Sequence, residues 1–186
     1  TDYLDLWQVH SLKDPDDVEY RIDQGVLEVF QEAKAEGKAR HIGFTGHVQP
    51  SSHVHMLEQT DIFETCQMPI NVVDPTNDSF IEQVLPRLVE RDLGVLAMKT
   101  LANGRLFRDY GSGAVISSEG LSLAEALHFV WSLPVSTLIT GPDSVDQMKE
   151  KIELARSFQQ MDEGERRALV DKVAQLSTEG VEYYKA

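Results

Sequence analysis

Short apolar runs alternate with longer helical patterns along this chain, and that alternation constrains its fold more than any other feature. The runs are short enough to be buried strands, whereas the segments between them carry apolar side chains at helical spacing. Strict alternation of strands and helices is typical of an α/β fold with a parallel sheet. We predict strands at residues 4–9, 41–44, 62–68, 94–98 and 135–139.

The intervening segments carry the end signals of helices. Gly37 is placed to end one helix, Pro86 to kink another, and Ser122, Ser144 and Asp162 to cap the starts of three more. The predicted helices cover residues 24–36, 50–59, 78–91, 123–131, 144–158 and a last segment from Asp162. On the last two helices the residues expected to face the core are Val145, Met148, Ile152, Ala155, Ala168, Leu169, Val173 and Leu176.

Charge and cysteine content exclude several functional classes. The 186 residues include 17 Lys+Arg and 31 Asp+Glu, a net charge of −14 that would repel nucleic acids and anionic membranes. Cys66 is the only cysteine, which excludes a disulfide framework and an iron–sulfur cluster with several thiolate ligands. The chain contains no run of about 18 apolar residues, so we expect no membrane-spanning helix. We expect one domain over residues 1–186, located in the cytoplasm.

Two motif-like patterns carry little weight. Gly111-Ser112-Gly113 begins like a dinucleotide-binding fingerprint, but Ile116 stands where its third glycine belongs. His53 and His55 suggest a metal site, yet residues two apart diverge on a helix, so we predict no metal. The glycine-rich segment 104–120 follows a predicted strand and is either a functional loop or a surface excursion.

Polar residues follow the predicted strands, at the edge where parallel sheets carry their chemistry. Each of them taken singly is equally explained as a cap of a strand or helix, and His10 alone fits a structural histidine. Together they predict a ligand-binding rim formed by His10, Thr45, His47, Gln67, Lys99, Thr140 and Gly141.

Five segments, in order along the chain, resemble motifs of the aldo-keto reductases. They are residues 2–10, residues 37–47, the strand around Gln67, residues 94–106 and residues 139–148. The resemblance implies a (β/α)8 TIM barrel, present here as an incomplete barrel of five parallel strands with alternating helices and a C-terminal helix. These strands correspond to strands four to eight of the family. The family's first three strands and its catalytic tyrosine, lysine and aspartate have no counterpart, so we expect the chain to be the C-terminal part of a longer reductase.

The resemblance also assigns roles at the reaction centre. His10 corresponds to the family's active-site histidine, which holds the carbonyl oxygen of the substrate. Thr45 and Gln67 correspond to residues that bind the nicotinamide carboxamide, and Gly46 replaces the asparagine that usually stands beside the first of them. Met98 stands where many members stack an aromatic ring on the nicotinamide, and its thioether would cover the same face.

Further residues correspond to the family's contacts with the rest of the dinucleotide. Lys99, with the backbone of Leu101 and Gly104, would meet the pyrophosphate. The residues implied at the adenosine end are Gly141, Ser144, Gln147, Glu150 and Lys151. Asp143 would repel a 2′-phosphate, so we expect no strong selectivity for NADP over NAD.

The resemblance therefore implies an oxidoreductase that reduces a small-molecule carbonyl, an aldehyde or ketone, with NADP or NAD as cofactor. The 186-residue chain by itself is expected to be inactive, because the family's general acid is missing. Two alternatives stay open: a noncatalytic dinucleotide-binding subunit with a regulatory or scaffolding role, and an unrelated half-barrel that binds a sugar phosphate. The carbonyl substrate and the oligomeric state do not follow from the sequence.

Overall fold

A computed structural model describes residues 1–107, 120–174 and 180–185 of the chain. Strands and helices alternate as predicted, with one extra helix after the first strand. The strands are β1 (Leu4–Leu12), β2 (Ala39–Gly46), β3 (Thr65–Pro69), β4 (Gly94–Met98) and β5 (Thr137–Leu138). The helices are α1 (Pro15–Asp23), α2 (Val26–Ala35), α3 (Pro50–Gln59), α4 (Phe80–Gln83), α5 (Leu85–Glu90), α6 (Leu123–Trp131), α7 (Val145–Arg156) and α8 (Glu163–Ala174).

The five strands form one open parallel sheet in the order β1-β2-β3-β4-β5, which confirms the predicted α/β fold class. β1 pairs with β2 from Leu4 opposite Ala39 to Leu12 opposite Gly46. The pairing carries β1 beyond the predicted end at residue 9, because β2 continues to Gly46 and supplies partners that far. His10 therefore lies inside the last part of β1 rather than after it.

The chain divides into two compact units. Unit 1 comprises Thr1–Met68, Asp78–Leu96 and the residues from Tyr184 onward. Its core lies on the helix side of β1 to β3, where the Trp7 ring stacks on Phe30 with centroids 4.1 Å apart. Other fully buried side chains of this core include Leu12, Ile42, Phe44, Met56, Met68, Phe80 and Leu88.

Unit 2 comprises the described residues of Pro69–Asn77 and Ala97–Tyr183. Its core is formed mainly by the apolar face of α6 and the segments beside it. The fully buried side chains include Ile70, Val72, Leu106, Ala126, Leu127, Val130, Val173 and Val181.

Local caps explain where the helices begin. The Asp14 carboxylate accepts a hydrogen bond from the amide of Asp17 (2.8 Å) and starts α1, with Pro15 in the first turn. This helix was missed by the sequence analysis, although its Asp-Pro start is a recognisable cap. Ser122 and Glu125 form a reciprocal capping box at α6, and Ser144 caps α7 as predicted.

The predicted orientation of α7 is wrong. Val145, Met148 and Ile152 are exposed by 71%, 41% and 42%, and Ala155 is exposed as well. The stripe with the lowest exposure contains Lys151, Leu154 and Phe158 instead. Lys151 turns back to the loop that precedes the helix, while Leu154 and Phe158 contact His128 of α6. Within unit 2 this helix therefore buries its Lys151 and Leu154 side and leaves its most apolar face exposed.

The predicted buried face of α8 is partly confirmed. Leu169 and Val173 are buried, whereas Ala168 is exposed, because it lies one residue off their helical stripe. Leu176 lies outside the described residues. Within the described ranges, no helix is both long enough and apolar enough to cross a membrane.

Two glycines give a direct test of the β2–β3 packing. A Cβ at Gly43 would lie 2.1 Å from Thr65 Oγ1 and 2.8 Å from its carbonyl oxygen, whereas a Cβ at Gly141 meets no atom within 4 Å. We predict that Gly43→Ala lowers the free energy of unfolding by about 1–3 kcal/mol through overpacking. Gly141→Ala, the matched control, should change it by less than about 0.5 kcal/mol. Urea unfolding measures both, and equal effects would contradict this packing.

Candidate functional site

The parallel pairing of β2 with β3 brings two of the predicted site residues together in unit 1. Thr45 lies near the carboxyl end of β2 and is paired with Gln67 in the middle of β3, so their side chains lie on the same face of the sheet. Thr45 is buried, and Gln67 Oε1 accepts a hydrogen bond of 3.2 Å from Gln8 Nε2 of β1. A hydroxyl and a carboxamide thus lie side by side on one face of the sheet.

His10 lies on β1 at a local irregularity of the sheet. The pairing of β1 with β2 shifts register between Val9 and Leu12, which inserts one extra residue on β1. The His10 side chain is exposed. Its carbonyl oxygen accepts a hydrogen bond of 2.7 Å from Arg21 Nη1, and Arg21 is itself fixed by Asp17 at 2.9 Å. Helix α1 therefore fixes the backbone that presents the imidazole.

Arg21 was missed by the sequence analysis. Its only sequence signal is the i,i+4 spacing from Asp17, which is typical of many exposed helix pairs. Its contact with the carbonyl oxygens of His10 and Ser11 arises from tertiary packing, which that spacing does not reveal.

Gly46 has a steric reason to be glycine. A Cβ at this position would lie 2.6 Å from the carbonyl oxygen of Leu12 and 2.7 Å from Cε1 of His53. The asparagine that the resemblance leads one to expect cannot be accommodated unless the end of β1 or the His53 ring moves. Gly46 can therefore contribute only its backbone groups to a ligand contact.

His53 is fully buried on the helix side of β2. Its ring lies 5.5 Å from the Phe44 ring and 5.1 Å from the Phe80 ring, and Nδ1 is 3.1 Å from Ser52 Oγ. Burial lowers the pKa of His53 from 6.5 to about 4, so the ring is neutral at pH 7. Its role is to pack against the end of β2 on the helix side of the sheet.

Metal and thiolate chemistry find no support in the described ranges. No group of three or more His, Cys, Asp and Glu side chains is arranged there to hold a metal ion. His55 lies on another side of α3 from His53, where its Nε2 contacts Glu19 of α1. Burial raises the pKa of the Cys66 thiol well above its usual range, which disfavours the reactive thiolate.

The end of β4 and the tight turn that follows it contain four of the predicted site residues, which are Met98, Lys99, Leu101 and Gly104. Met98 ends β4, and its carbonyl oxygen accepts a hydrogen bond from the Ile70 amide (3.0 Å). Lys99 and Gly104 both have positive φ, of 55° and 86°. The Gly104 amide donates to the carbonyl oxygen of Leu101 at 2.8 Å, which closes the turn.

The start of α7 carries the other predicted residues of unit 2. Ser144 Oγ accepts a hydrogen bond from the Gln147 amide (3.2 Å), and Gln147 Oε1 accepts one from the Asp143 amide (2.7 Å). These bonds fix the helix end, whose first amides point away from the helix body as at any N-terminus. Glu150 lies on the exposed side of the helix.

Lys151 is largely buried beneath the loop between β5 and α7. Its Nζ donates hydrogen bonds to Thr140 Oγ1 at 2.7 Å and to the Gly141 carbonyl oxygen at 3.5 Å. Burial lowers the pKa of Lys151, and the nearby negative charges of Asp143 and Glu150 partly oppose that shift. The loop is therefore tied to the helix by a cation.

The predicted residues thus divide between the two units. Unit 1 contains His10, Thr45, Gly46 and Gln67, and unit 2 contains Met98, Lys99, Leu101, Gly104, Gly141, Ser144, Gln147, Glu150 and Lys151. A surface cleft of about 490 Å³ elsewhere in unit 1 is lined by residues such as Pro15, His55 and Pro86, and it includes no predicted site residue. The part of segment 104–120 beyond residue 107 and before residue 120 lies outside the described residues, as does the Gly111-Ser112-Gly113 pattern.

Comparison with known proteins identifies a family. The model of the "Aldo/keto reductase family" matches residues 1–168. The uncharacterized oxidoreductase YqkF of Bacillus subtilis (strain 168) is 26% identical over 183 aligned positions, which cover 84% of this chain and 56% of YqkF.

Solved structures show the same fold. Aldo-keto reductase AKR11C1 from Bacillus halodurans in its holo form superimposes with a TM-score of 0.73 at 23% identity, covering 92% of this chain and 59% of that one. The thermostable aldo-keto reductase Tm1743, in complex with the inhibitor epalrestat, gives a TM-score of 0.59 at 16% identity, covering 92% and 61%. The chain therefore spans a little over half the length of the relatives that it matches.

The buried His53 makes stability depend on pH in a defined direction. Its pKa is about 4 in the folded chain against 6.5 as the ordinary value, so the unfolded chain binds the proton more strongly. The His53 contribution is therefore complete above about pH 7 and is lost as pH falls toward 4. We predict that wild type loses about 2 kcal/mol of stability from this residue between pH 7 and pH 5.

Urea unfolding at both pH values measures this loss. His53→Gln should remove that part of the pH dependence, whereas His41→Gln, at an exposed position of β2, should keep it. An identical pH dependence in His53→Gln and wild type would contradict the assignment.

Proposed function

This chain belongs to the aldo/keto reductase family, and on that basis we propose that it forms the nicotinamide-dinucleotide-binding part of an oxidoreductase that reduces a carbonyl compound. Family membership supports oxidoreductase chemistry, and the holo form of a structural relative is consistent with a bound cofactor. The observation that carries the proposal is the register pairing of Thr45, near the carboxyl end of β2, with Gln67 of β3.

The donor set of unit 1 fits a nicotinamide carboxamide. That group needs one hydrogen-bond donor and one acceptor, and the Thr45 hydroxyl and the Gln67 carboxamide supply both kinds. Gln8 fixes the Gln67 side chain, since its Nε2 donates to Gln67 Oε1. The Gln67 amide group is thereby held in one orientation beside Thr45.

The backbone of unit 2 fits the phosphates. Left-handed residues at 99, 102, 103 and 104 bend the chain into a tight turn after β4, and Gly104 has no side chain to hinder the approach of a ligand. Helix α7 adds the positive end of its dipole, and Lys99 adds a positive charge. These groups would hold the pyrophosphate and the adenosine end.

A nicotinamide dinucleotide supplies the hydride when bound. His10 would orient the substrate by donating a hydrogen bond to its carbonyl oxygen, because its side chain is exposed near the carboxyl end of β1. Arg21 would keep the His10 backbone in register during that contact.

Thr45→Val tests the carboxamide contact. We expect the 186-residue chain to bind NADH in a fluorescence titration, and Thr45→Val to weaken binding about fivefold by removing one hydrogen bond. Thr65→Val is the matched control, because Thr65 is a half-buried residue of β3 whose buried hydroxyl has no hydrogen-bond partner within the described part of the chain. It should bind within about twofold of wild type. Absence of saturable binding by wild type, for both NADH and NADPH, would contradict the proposed function.

Asp143 should govern the choice between the two cofactors. Its carboxylate lies in the loop before α7, where it would repel a 2′-phosphate, so we predict that NADH binds within about tenfold of NADPH. Asp143→Asn should tighten NADPH binding more than NADH binding, by about threefold at low salt. Asp171→Asn on α8 is the control and should change neither. A thousandfold preference of wild type for NADPH would refute the prediction.

A further inference from the structure

The C-terminal segment 180–183 is anchored within unit 2 at two separate places. Val181 and Glu182 are buried, although the segment lies near the chain end. Glu182 Oε1 accepts a hydrogen bond of 3.0 Å from Asn71 Nδ2. Both polar atoms of the Asn71 carboxamide are used, because its Oδ1 also accepts hydrogen bonds from the amides of Val73 and Asp74 at 2.8 and 3.1 Å.

The second anchor is the turn that follows β4. Asn103 Nδ2 donates a hydrogen bond of 3.1 Å to Tyr183 Oη. The Arg105 guanidinium lies 4.1 Å from the centre of the Tyr183 ring, and its Nη1 donates to the Gly180 carbonyl oxygen at 3.2 Å. Side chains on either side of Gly104 therefore hold the same short segment.

The turn needs such support because its backbone is strained. Lys99, Ala102 and Asn103 adopt φ values of 55°, 47° and 59°, in the left-handed region that disfavours residues with a Cβ. Ala102 has no polar side chain to stabilise this conformation locally. Two short backbone bonds close the turn, from the Ala102 amide to Lys99 and from the Gly104 amide to Leu101. Strain of this kind persists only where the surroundings over-determine it.

We propose that Tyr183 is a positioning residue for the turn 99–104, and that segment 180–183 holds this turn in the conformation that contacts the dinucleotide phosphates. The inference rests on the proposed function for its ligand, but the mechanical coupling between Tyr183 and the turn is a property of the free chain. When this contact is lost, the turn populates its strained conformation less often. The apparent affinity for the dinucleotide then falls in proportion to the fraction of chains whose turn keeps this conformation.

Amide hydrogen exchange of the free chain tests the coupling. In Tyr183→Phe the Gly104 amide should exchange about fivefold faster, the factor that one neutral hydrogen bond contributes. Tyr20→Phe, which removes a hydroxyl from a side chain exposed by 63%, should leave the rate unchanged. Unchanged Gly104 exchange in Tyr183→Phe would overturn the proposal. So would an equal acceleration at the Val130 amide in α6, since that pattern indicates general destabilisation.

A second variant removes the hydrogen bond to Tyr183 without adding backbone strain to the turn. Asn103→Gly keeps the left-handed conformation accessible but removes the amide donor, so it should also accelerate Gly104 exchange. The double variant should add nothing beyond Tyr183→Phe, because both changes break the same bond. Fully additive effects would overturn the proposal.

A titration with NADH links the coupling to the ligand. Tyr183→Phe should weaken NADH binding by about the same fivefold as the change in Gly104 exchange. If exchange responds as predicted while wild type binds neither NADH nor NADPH, the proposed function fails and the positioning of the turn stands. If wild type binds NADH and Tyr183→Phe binds it equally well, the positioning role fails.

Discussion

The parallel pairing of β2 with β3 is the interaction on which the candidate site depends. Its register places Thr45 directly opposite Gln67, and a shift of one residue would send one of the two side chains to the helix face. Gly43 permits this register, because any side chain there would collide with Thr65. The same backbone hydrogen bonds between β2 and β3 therefore determine both the packing at Gly43 and the pairing of Thr45 with Gln67.

The proposed ligand is an anion, whereas the chain has a net charge of −14. Long-range attraction therefore would not supply the affinity, and bulk salt screens the unfavourable field beyond about 10 Å at 0.1 M. Under this proposal the affinity would come from local groups, which are the turn after β4, the N-terminal end of α7 and the charge of Lys99. Lys151 would contribute indirectly, since its hydrogen bonds to Thr140 and Gly141 hold the loop between β5 and α7.

The elements with strong local signals could be predicted from the sequence. Helices α3 and α6 and strand β4 have the predicted bounds, because Pro50, Ser122 and Gly94 mark their ends unambiguously. The buried face of α7 could not be predicted from the sequence. Its apolar stripe was expected to be buried, but the buried side contains Lys151, which is hydrogen-bonded to Thr140, and residues that contact α6. The roles of Arg21 and Tyr183 depend on contacts with residues 11 and 80 positions away, which no local pattern reports.

The most direct test of the account is a map of amide chemical shifts in the isotope-labelled chain as NADH is added. We predict that the largest changes occur in unit 1 at Thr45, Gly46 and Gln67, and in unit 2 at residues 99–104 and 144–147. Shifts confined to the cleft around Pro15, His55 and Pro86, with the strand ends unaffected, would contradict the central claim that the carboxyl ends of the strands form a dinucleotide site.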